Sequence, residues 1–448
     1  MPSFDIKQEK ELSESIELDE DELGLGTVLV IGGCGFLGHH VVKFLLAEPS
    51  CTAVAVMSRS PFKNRFDGHV KHVVHQVKPK VIINTASPHA YIDHEHAIDN
   101  FRVNVDGTQS LLDEAAAVGT VKAFIYTSSG PIIAGTGGAY DHADETFPTL
   151  AVSKKGDPYH IAKALGDKIT LEANGKNGIL TACIRPTALY GEGDTQMVGP
   201  VVKVLEDGQT NIWMGYNDID MDVVYVGHVA KAEVLAALGL LRRHVDPTAP
   251  KIDGESFNIT DDQPAPPWTF FRKYWVLAGD KTPLSNVWMI PPVIVMMMAY
   301  IAEWFVWAFS GGKHRPEMLK VERMEFVLLT RTYNISKAKK LLGFKPWEGQ
   351  PLLRYAETTS RDNYNGHDLL TLIENMARPY EAHMNAEIQT ILDLHTKISS
   401  ADLAKIDKTM RDNAEKYSDI FKMAPFYAGA QDRFGVCCLS VSWGVELK

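Results

Sequence analysis

Along the first half of the chain, short β-branched runs alternate with stretches whose apolar residues recur at helical spacing. Thr27 to Ile31 reads as a strand, Gly32 to Gly38 as a turn, and His40 to Ala47 as the helix that follows. Ala53 to Met57, Val81 to Asn84, Ala123 to Thr127 and Leu180 to Ile184 read as further strands, with helix-like segments between them. That alternation predicts an α/β fold with a parallel, doubly wound sheet over residues 25–190.

Beyond about residue 190 the pattern is mixed. A strand-like Ser256 to Thr260 and the loop Gln263 to Pro267 are punctuated by Gly and Pro, and residues 191–362 are assigned to a smaller, mixed substrate-binding subdomain. Within it, 287–309 is the most apolar stretch of the chain, with Glu303 as its one formal charge and Trp288, Tyr300, Trp304 and Trp307 spread along it. As a helix, Pro291 to Phe309 covers roughly 28 Å, close to a bilayer's hydrocarbon thickness. The double proline, the tryptophans and Glu303 suit an interfacial helix, while spanning and a soluble core or cavity wall stay open. Residues 363–448 read as an added helical extension of unassigned role, amphipathic from Leu369 to Met423 with breaks near Pro379 and Ser399.

Charge narrows the partners. The formal balance of -11 argues against nucleic acid, which needs a basic face. Part of the acidity lies between Glu9 and Glu22, so residues 1–24 read as a disordered, solvated acidic tail, and no secretory signal is visible. Five cysteines, Cys34, Cys51, Cys183, Cys437 and Cys438, are scattered without metal-ligand spacing and read as reduced thiols. His39, His40, His89, His94 and His96 repeat no ligand frame, so no metal is expected.

Two patterns carry chemistry. Gly32, Gly35 and Gly38 lie between strand and helix, where missing side chains let the backbone approach a pyrophosphate at the positive end of the helix. Tyr159 and Lys163 stand four apart, one helical turn, so both project from one face. A phenol is a poor base at neutral pH, and a neighbouring ammonium stabilises its phenolate. Thr127-Ser128-Ser129 ends a predicted strand, where ligands of parallel sheets bind, and Ser129 can hydrogen-bond a reacting oxygen.

These patterns are joined in order by Asn84-Thr85-Ala86-Ser87-Pro88, Asn104-Val105-Asp106-Gly107-Thr108 and Arg185-Pro186-Thr187-Ala188-Leu189-Tyr190-Gly191. The set resembles the extended short-chain dehydrogenases, built on a Rossmann-type sheet. Within them it is most similar to the 3β-hydroxysteroid dehydrogenase branch, particularly the decarboxylating sterol-4α-carboxylate 3-dehydrogenases, over roughly 27–360. Tyr333 to Ala338 and Leu342 to Pro346 are similar to the segment closing that fold.

The resemblance implies Tyr159 as general base and acid, with Lys163 binding the nicotinamide ribose and tuning Tyr159. Ser129, with Ser128 as fallback, polarises the substrate oxygen, and Asn104 assists through a water. Cofactor contacts are implied at Gly32, Gly35, Phe36, Leu37 and Gly38 in the turn. Further contacts are implied at Ser58 and Arg59 after the second strand, Thr85 and Ala86 after the third, and Pro186 and Thr187 later in the chain, beside Tyr159 and Lys163 themselves. Hydride passes between the substrate's carbinol carbon and nicotinamide C4, and a carboxylate next to that carbon is then lost as carbon dioxide from a β-keto acid. A sterol or terpenoid substrate, a membrane surface, a possible homodimer and the cytosolic face of the endoplasmic reticulum, or else the cytoplasm, follow from the same likeness.

Two departures qualify it. Where NAD enzymes place an acidic residue, this chain has Ser58-Arg59, and Arg59 either pairs with a 2′-phosphate or stacks on adenine and faces solvent, which tilts the cofactor, NAD(P), slightly to NADP. Between Arg59 and Lys80 there is room for at best one compressed element at Phe66 to Val77, so the adenine side of the pocket is reduced or the protein is an altered or inactive form. A secondary-metabolism reductase or epimerase of this fold and a non-catalytic dinucleotide-binding protein are the competing expectations.

Overall fold

The computed structural model describes residues 23–58, 73–90, 93, 96–133, 138–152, 157–191, 193–194, 196–316 and 319–347. The acidic tail up to 22, Arg59, His94 and the C-terminal extension with Cys437 and Cys438 lie outside the described residues.

Six parallel strands form the centre: β1 (Gly26–Ile31), β2 (Cys51–Met57), β3 (Val81–Asn84), β4 (Ala123–Thr127), β5 (Leu180–Pro186) and β6 (Glu255–Ile259), ordered β6-β5-β4-β3-β1-β2. Alternation along each strand divides its side chains between two cores. Val28, Val30, Val81, Ile83, Ile125 and Ile184 enter one, together with Val41 and Leu45 of α1 (Phe36–Ala47). Leu29, Ile82, Phe124, Tyr126 and Cys183 enter the other, together with Leu111, Leu112 and Ala115 of α2 (Gly107–Val118). Both faces are covered, which is why these strands read as unbroken β-branched runs. Each fully buried aliphatic side chain contributes about 1.5–3 kcal/mol.

Helix α3 (Pro158–Glu172) lies on the α2 side, its Ile169 and Leu171 packing into that core. After α4 (Val198–Glu206), the twenty residues of α5 (Val226–Val245) pack on α1 in the opposite core. The sixth strand comes from Glu255–Ile259, inside the stretch that sequence patterning places in the substrate subdomain. The sheet therefore continues past residue 190, because α5 returns the chain to pair alongside β5.

Among the described residues β2 is the edge of the sheet, and the segment before β3 supplies only a short helix at 73–77 that buries Val73 and Val74. Of the compressed element expected at Phe66 to Val77, only residues 73–77 are described, and the rest lies outside the described residues.

The remaining elements lie outside the sheet. α6 (Pro267–Leu277) buries Trp268, Phe270 and Trp275, and short parallel pairs join 188–190 to 223–225, 212–214 to 288–290, and 140–143 to 331–333. α7 (Pro292–Phe309) buries only Val295 and Ala299 against α8 (Val321–Leu328), whereas Val293 and Phe309 are 79% and 77% exposed. Its 18 residues, about 27 Å, are long and apolar enough to cross a membrane.

Candidate active site

The glycine turn closes tightly on itself. A Cβ on Gly38 would stand 2.1 Å from the Gly32 carbonyl oxygen, and one on Gly33 would stand 2.6 Å from Val56, so no side chain fits at either position. Gly32 also takes a positive φ of 81°, which favours glycine. Gly35 precedes α1 without a side-chain cap and is exposed, leaving the first-turn N–H groups of the helix for an anion. Phe36 and Leu37 open that helix.

The neighbouring candidates frame the turn. A Cβ on Gly32 would meet the Thr85 hydroxyl at 2.9 Å and the Ala86 backbone at 3.0 Å. Thr85 donates both its N–H (2.9 Å) and its hydroxyl (2.8 Å) to the Ile31 carbonyl, locking β3 to β1 at their carboxyl ends. Ser58 accepts from the Cys34 N–H at 3.0 Å, so its hydroxyl braces the turn itself. Pro186 ends β5, while the Thr187 hydroxyl is spent on the Asp222 carbonyl at 2.8 Å.

Helix α3 begins at Asp157, whose carboxylate accepts the Tyr159 N–H at 3.0 Å, with Pro158 in the first turn. Tyr159 is half-buried and its ring meets His160 edge-on. One turn on, Lys163 is 2% exposed, donates to the Thr127 carbonyl at 2.6 Å and lies 4.9 Å from the centre of the Tyr126 ring. Burial lowers its pKa to about 7, against the opposing pull of Glu233 and then of Cys183 and Asp167.

Ser129, at the end of β4, and Ser128 are both buried, and the Ser128 hydroxyl has no partner. Asn104 is 0% exposed, and neither its amide nitrogen nor its amide oxygen is hydrogen-bonded. It lies in a π-helical turn, Arg102–Asp106, the kind of helix irregularity that often marks a functional site. Gly166 of α3 lets that helix cross closely: a Cβ there would stand 2.4 Å from the Asn104 carbonyl oxygen. Orphaned polar atoms at the carboxyl ends of the strands and a turn with no room for side chains fit a dinucleotide.

Sequence patterning missed three features of the site. Glu233 of α5 is 0% exposed, accepts from the Thr127 hydroxyl through one oxygen and leaves the other unpartnered; burial pushes its pKa up, against the Thr127 hydrogen bond and the nearby Lys163 charge. Arg185 and Asp167 form a buried fork with contacts of 2.9 and 2.7 Å. Arg315 joins Glu303 of α7 (3.2 Å) and Glu322 of α8 to Asp157 at the start of α3 (3.5 Å), tying the apolar helix to the helix of Tyr159. The one available signal for Glu233 was a lone acid in an Ala- and Val-rich helix, a pattern that ordinarily marks a solvated face.

A glycine turn, a parallel sheet and a Tyr-Lys helix at the carboxyl ends of its strands define an NAD(P)-dependent oxidoreductase of the extended short-chain dehydrogenase class. The model of the 3-beta hydroxysteroid dehydrogenase/isomerase family matches residues 29–291, and the chain belongs to that family. Over 344 residues it is 34% identical to the decarboxylating sterol-4-alpha-carboxylate 3-dehydrogenase of Candida albicans, covering 72% of this chain and 93% of that one. It is 28% identical to the 3 beta-hydroxysteroid dehydrogenase/Delta 5-->4-isomerase of Mycobacterium tuberculosis, covering 72% and 86%. UDP-glucuronic acid 4-epimerase from Bacillus cereus, solved in complex with NAD, shares the fold with a TM-score of 0.52 at 15% identity, covering 75% and 98% of the two chains. The expected family and Rossmann-type fold are thus borne out.

Proposed function

We propose that this protein oxidises the 3-hydroxyl of a 4-carboxysterol, and that the 3-keto acid so formed loses its carboxylate. The observation carrying the reading is Lys163, buried one turn from Tyr159 and hydrogen-bonded to the end of β4. Likeness to sterol-4-alpha-carboxylate dehydrogenases over most of the chain supports the substrate class. Tyr159 removes the hydroxyl proton, and the Lys163 ammonium stabilises the resulting phenolate. Ser129 donates to the reacting oxygen and fixes its position. Asn104, its amide atoms without a partner, would assist through a water. A bound nicotinamide cofactor would supply the hydride acceptor for this oxidation. No residue is required for decarboxylation, because a β-keto acid sheds carbon dioxide readily.

Gly32, Gly35, Phe36, Leu37 and Gly38 would hold the pyrophosphate, and Thr85, Ala86 and Pro186 the nicotinamide half. Arg59 favours NADP slightly over NAD. The exposed apolar face of α7, rich in Trp304, Phe305 and Trp307, suits the interface of an endoplasmic reticulum membrane, from which an apolar substrate could be drawn. Purified protein given NAD or NADP with a panel of 4-carboxysterols and 3-hydroxysterols should reduce the cofactor and release carbon dioxide from the carboxysterols alone. Tyr159→Phe should lower turnover by about 10²–10⁴-fold while cofactor binding persists. Undiminished turnover in that variant would reject the assignment.

A further inference from the structure

The carboxylate of Glu233 is out of place in its helix. Its neighbours on α5, Val229, Ala230, Ala232, Ala236 and Ala237, are buried and apolar. Thr127 sits between two ionisable groups that reach it from opposite faces of the sheet. Its carbonyl accepts from Lys163 of α3, and its hydroxyl donates to Glu233 of α5. The two groups are not in direct contact, yet both are dry, and charges in such a place interact strongly across one intervening residue.

We propose that Glu233 is a positioning residue for the reaction: acting through Thr127, it anchors Lys163 and holds it in the ammonium form that Tyr159 requires. This rests on the reading of Lys163 as the lysine of the cofactor site. An unpaired carboxylate buried without function would be costly. Here one oxygen is fixed by Thr127, and the other is left unsatisfied.

The other charges nearby are committed or of another kind. From α3 itself comes Asp167, held by Arg185 of β5, and from β5 also the buried thiol of Cys183. From β4 comes Tyr126, a phenol that burial keeps protonated. Against α5, α1 brings His39, His40 and Lys43; Tyr225 precedes the helix, His228 within it is bonded to Asp261 (2.7 Å), and β6 adds Glu255, paired with Lys337 (2.6 Å). Burial drives the pKa of Lys163 down and that of Glu233 up, and each charge opposes this in the other: Glu233 is the largest influence keeping Lys163 an ammonium, and Lys163, after the Thr127 hydrogen bond, favours the Glu233 carboxylate.

The test is a double-mutant cycle read by thermal unfolding, with Glu233→Gln made in the wild type and in Lys163→Met. In the wild type the change should lower Tm, since it strands the ammonium. In Lys163→Met it should raise Tm, since it removes an unpaired buried acid. Equal shifts in both backgrounds would overturn the pairing, whatever substrate the enzyme proves to use. In steady-state assays Glu233→Gln should lower kcat at least tenfold with the sterol KM little changed, and should move the alkaline limb of the pH profile down by about one unit. Glu233→Asp should restore part of both. A lowered Tm with the pH profile unmoved would reduce Glu233 to a packing residue and defeat the proposal.

Discussion

Helix α3 carries two buried charges one turn apart, Lys163 and Asp167, and the structure treats them in opposite ways. Asp167 meets Arg185 in a two-pronged fork and also accepts from the Ser256 hydroxyl at 3.4 Å, so its charge is answered on the spot. Lys163 makes one hydrogen bond, to a neutral carbonyl, and its counter-charge Glu233 stands beyond Thr127 with an oxygen unsatisfied. A fork of this kind fixes geometry, here pinning α3 to β5 and β6. A cation left with donors to spare in a dry site is available to a ligand. The first pair fixes structure, and on the proposed mechanism the second is the part that works.

That contrast breaks most sharply on turnover. Lys163→Met should cost about 10²–10⁴-fold in kcat, whereas Arg185→Met, assayed at a temperature where it is folded, should stay within a few fold of wild type. Stability should show the scaffold instead: Arg185→Met strands Asp167 in the core and should cost about 3–5 kcal/mol in a denaturant titration. If Arg185→Met were as inactive as Lys163→Met while fully folded, the division of labour would be wrong.

How much of this was legible follows the same line. The strands Val81–Asn84 and Ala123–Thr127 were readable residue for residue, because burial on both faces demands an unbroken β-branched or aromatic run. The Tyr159–Lys163 spacing was readable because a helix makes partners of residues four apart. The membership of Glu255–Ile259 in the main sheet was not, since it depends on α5 carrying the chain back beside β5. The π-helical turn at Asn104 leaves no periodic trace. Glu233 could not be separated from an ordinary surface acid, because its burial is decided by α1 and the sheet, far away in sequence. Arg315 belongs with these: its partners come from α3, α7 and α8.

A third buried charge sharpens the comparison by pH. Asp222 accepts the Tyr333 N–H at 2.8 Å, and its other oxygen has no partner. Burial first, and then the nearby carboxylates Asp262 and Asp261, raise its pKa to about 7. A carboxyl whose folded pKa lies above its unfolded value contributes its stability at low pH and loses it as pH rises through the folded value. Asp222→Asn should therefore gain on the wild type between pH 5 and 8.5 by on the order of 2 kcal/mol, measured by unfolding at both ends of that window. A constant difference across the window would mean the carboxyl is not carrying the proton.

The smallest effect tests whether the scaffold reaches the machinery at all. Asp157 caps α3 through the Tyr159 N–H, and it is also where Arg315 delivers the tie from α7 and α8. The Arg315 side chain is 5% exposed, so its contacts are less screened than those of a surface pair. Loss of the cap alone in Asp157→Ala should cost about 1 kcal/mol, and Arg315→Met should leave the cap in place while cutting the tie. If the tie positions Tyr159, Arg315→Met should lower kcat by a few fold with Lys163 and Glu233 untouched, and Asp157→Ala should lower it no less. Should Arg315→Met alter only stability, α7 would be an appendage whose attachment to α3 is mechanical, with no bearing on the angle at which the phenol meets its substrate.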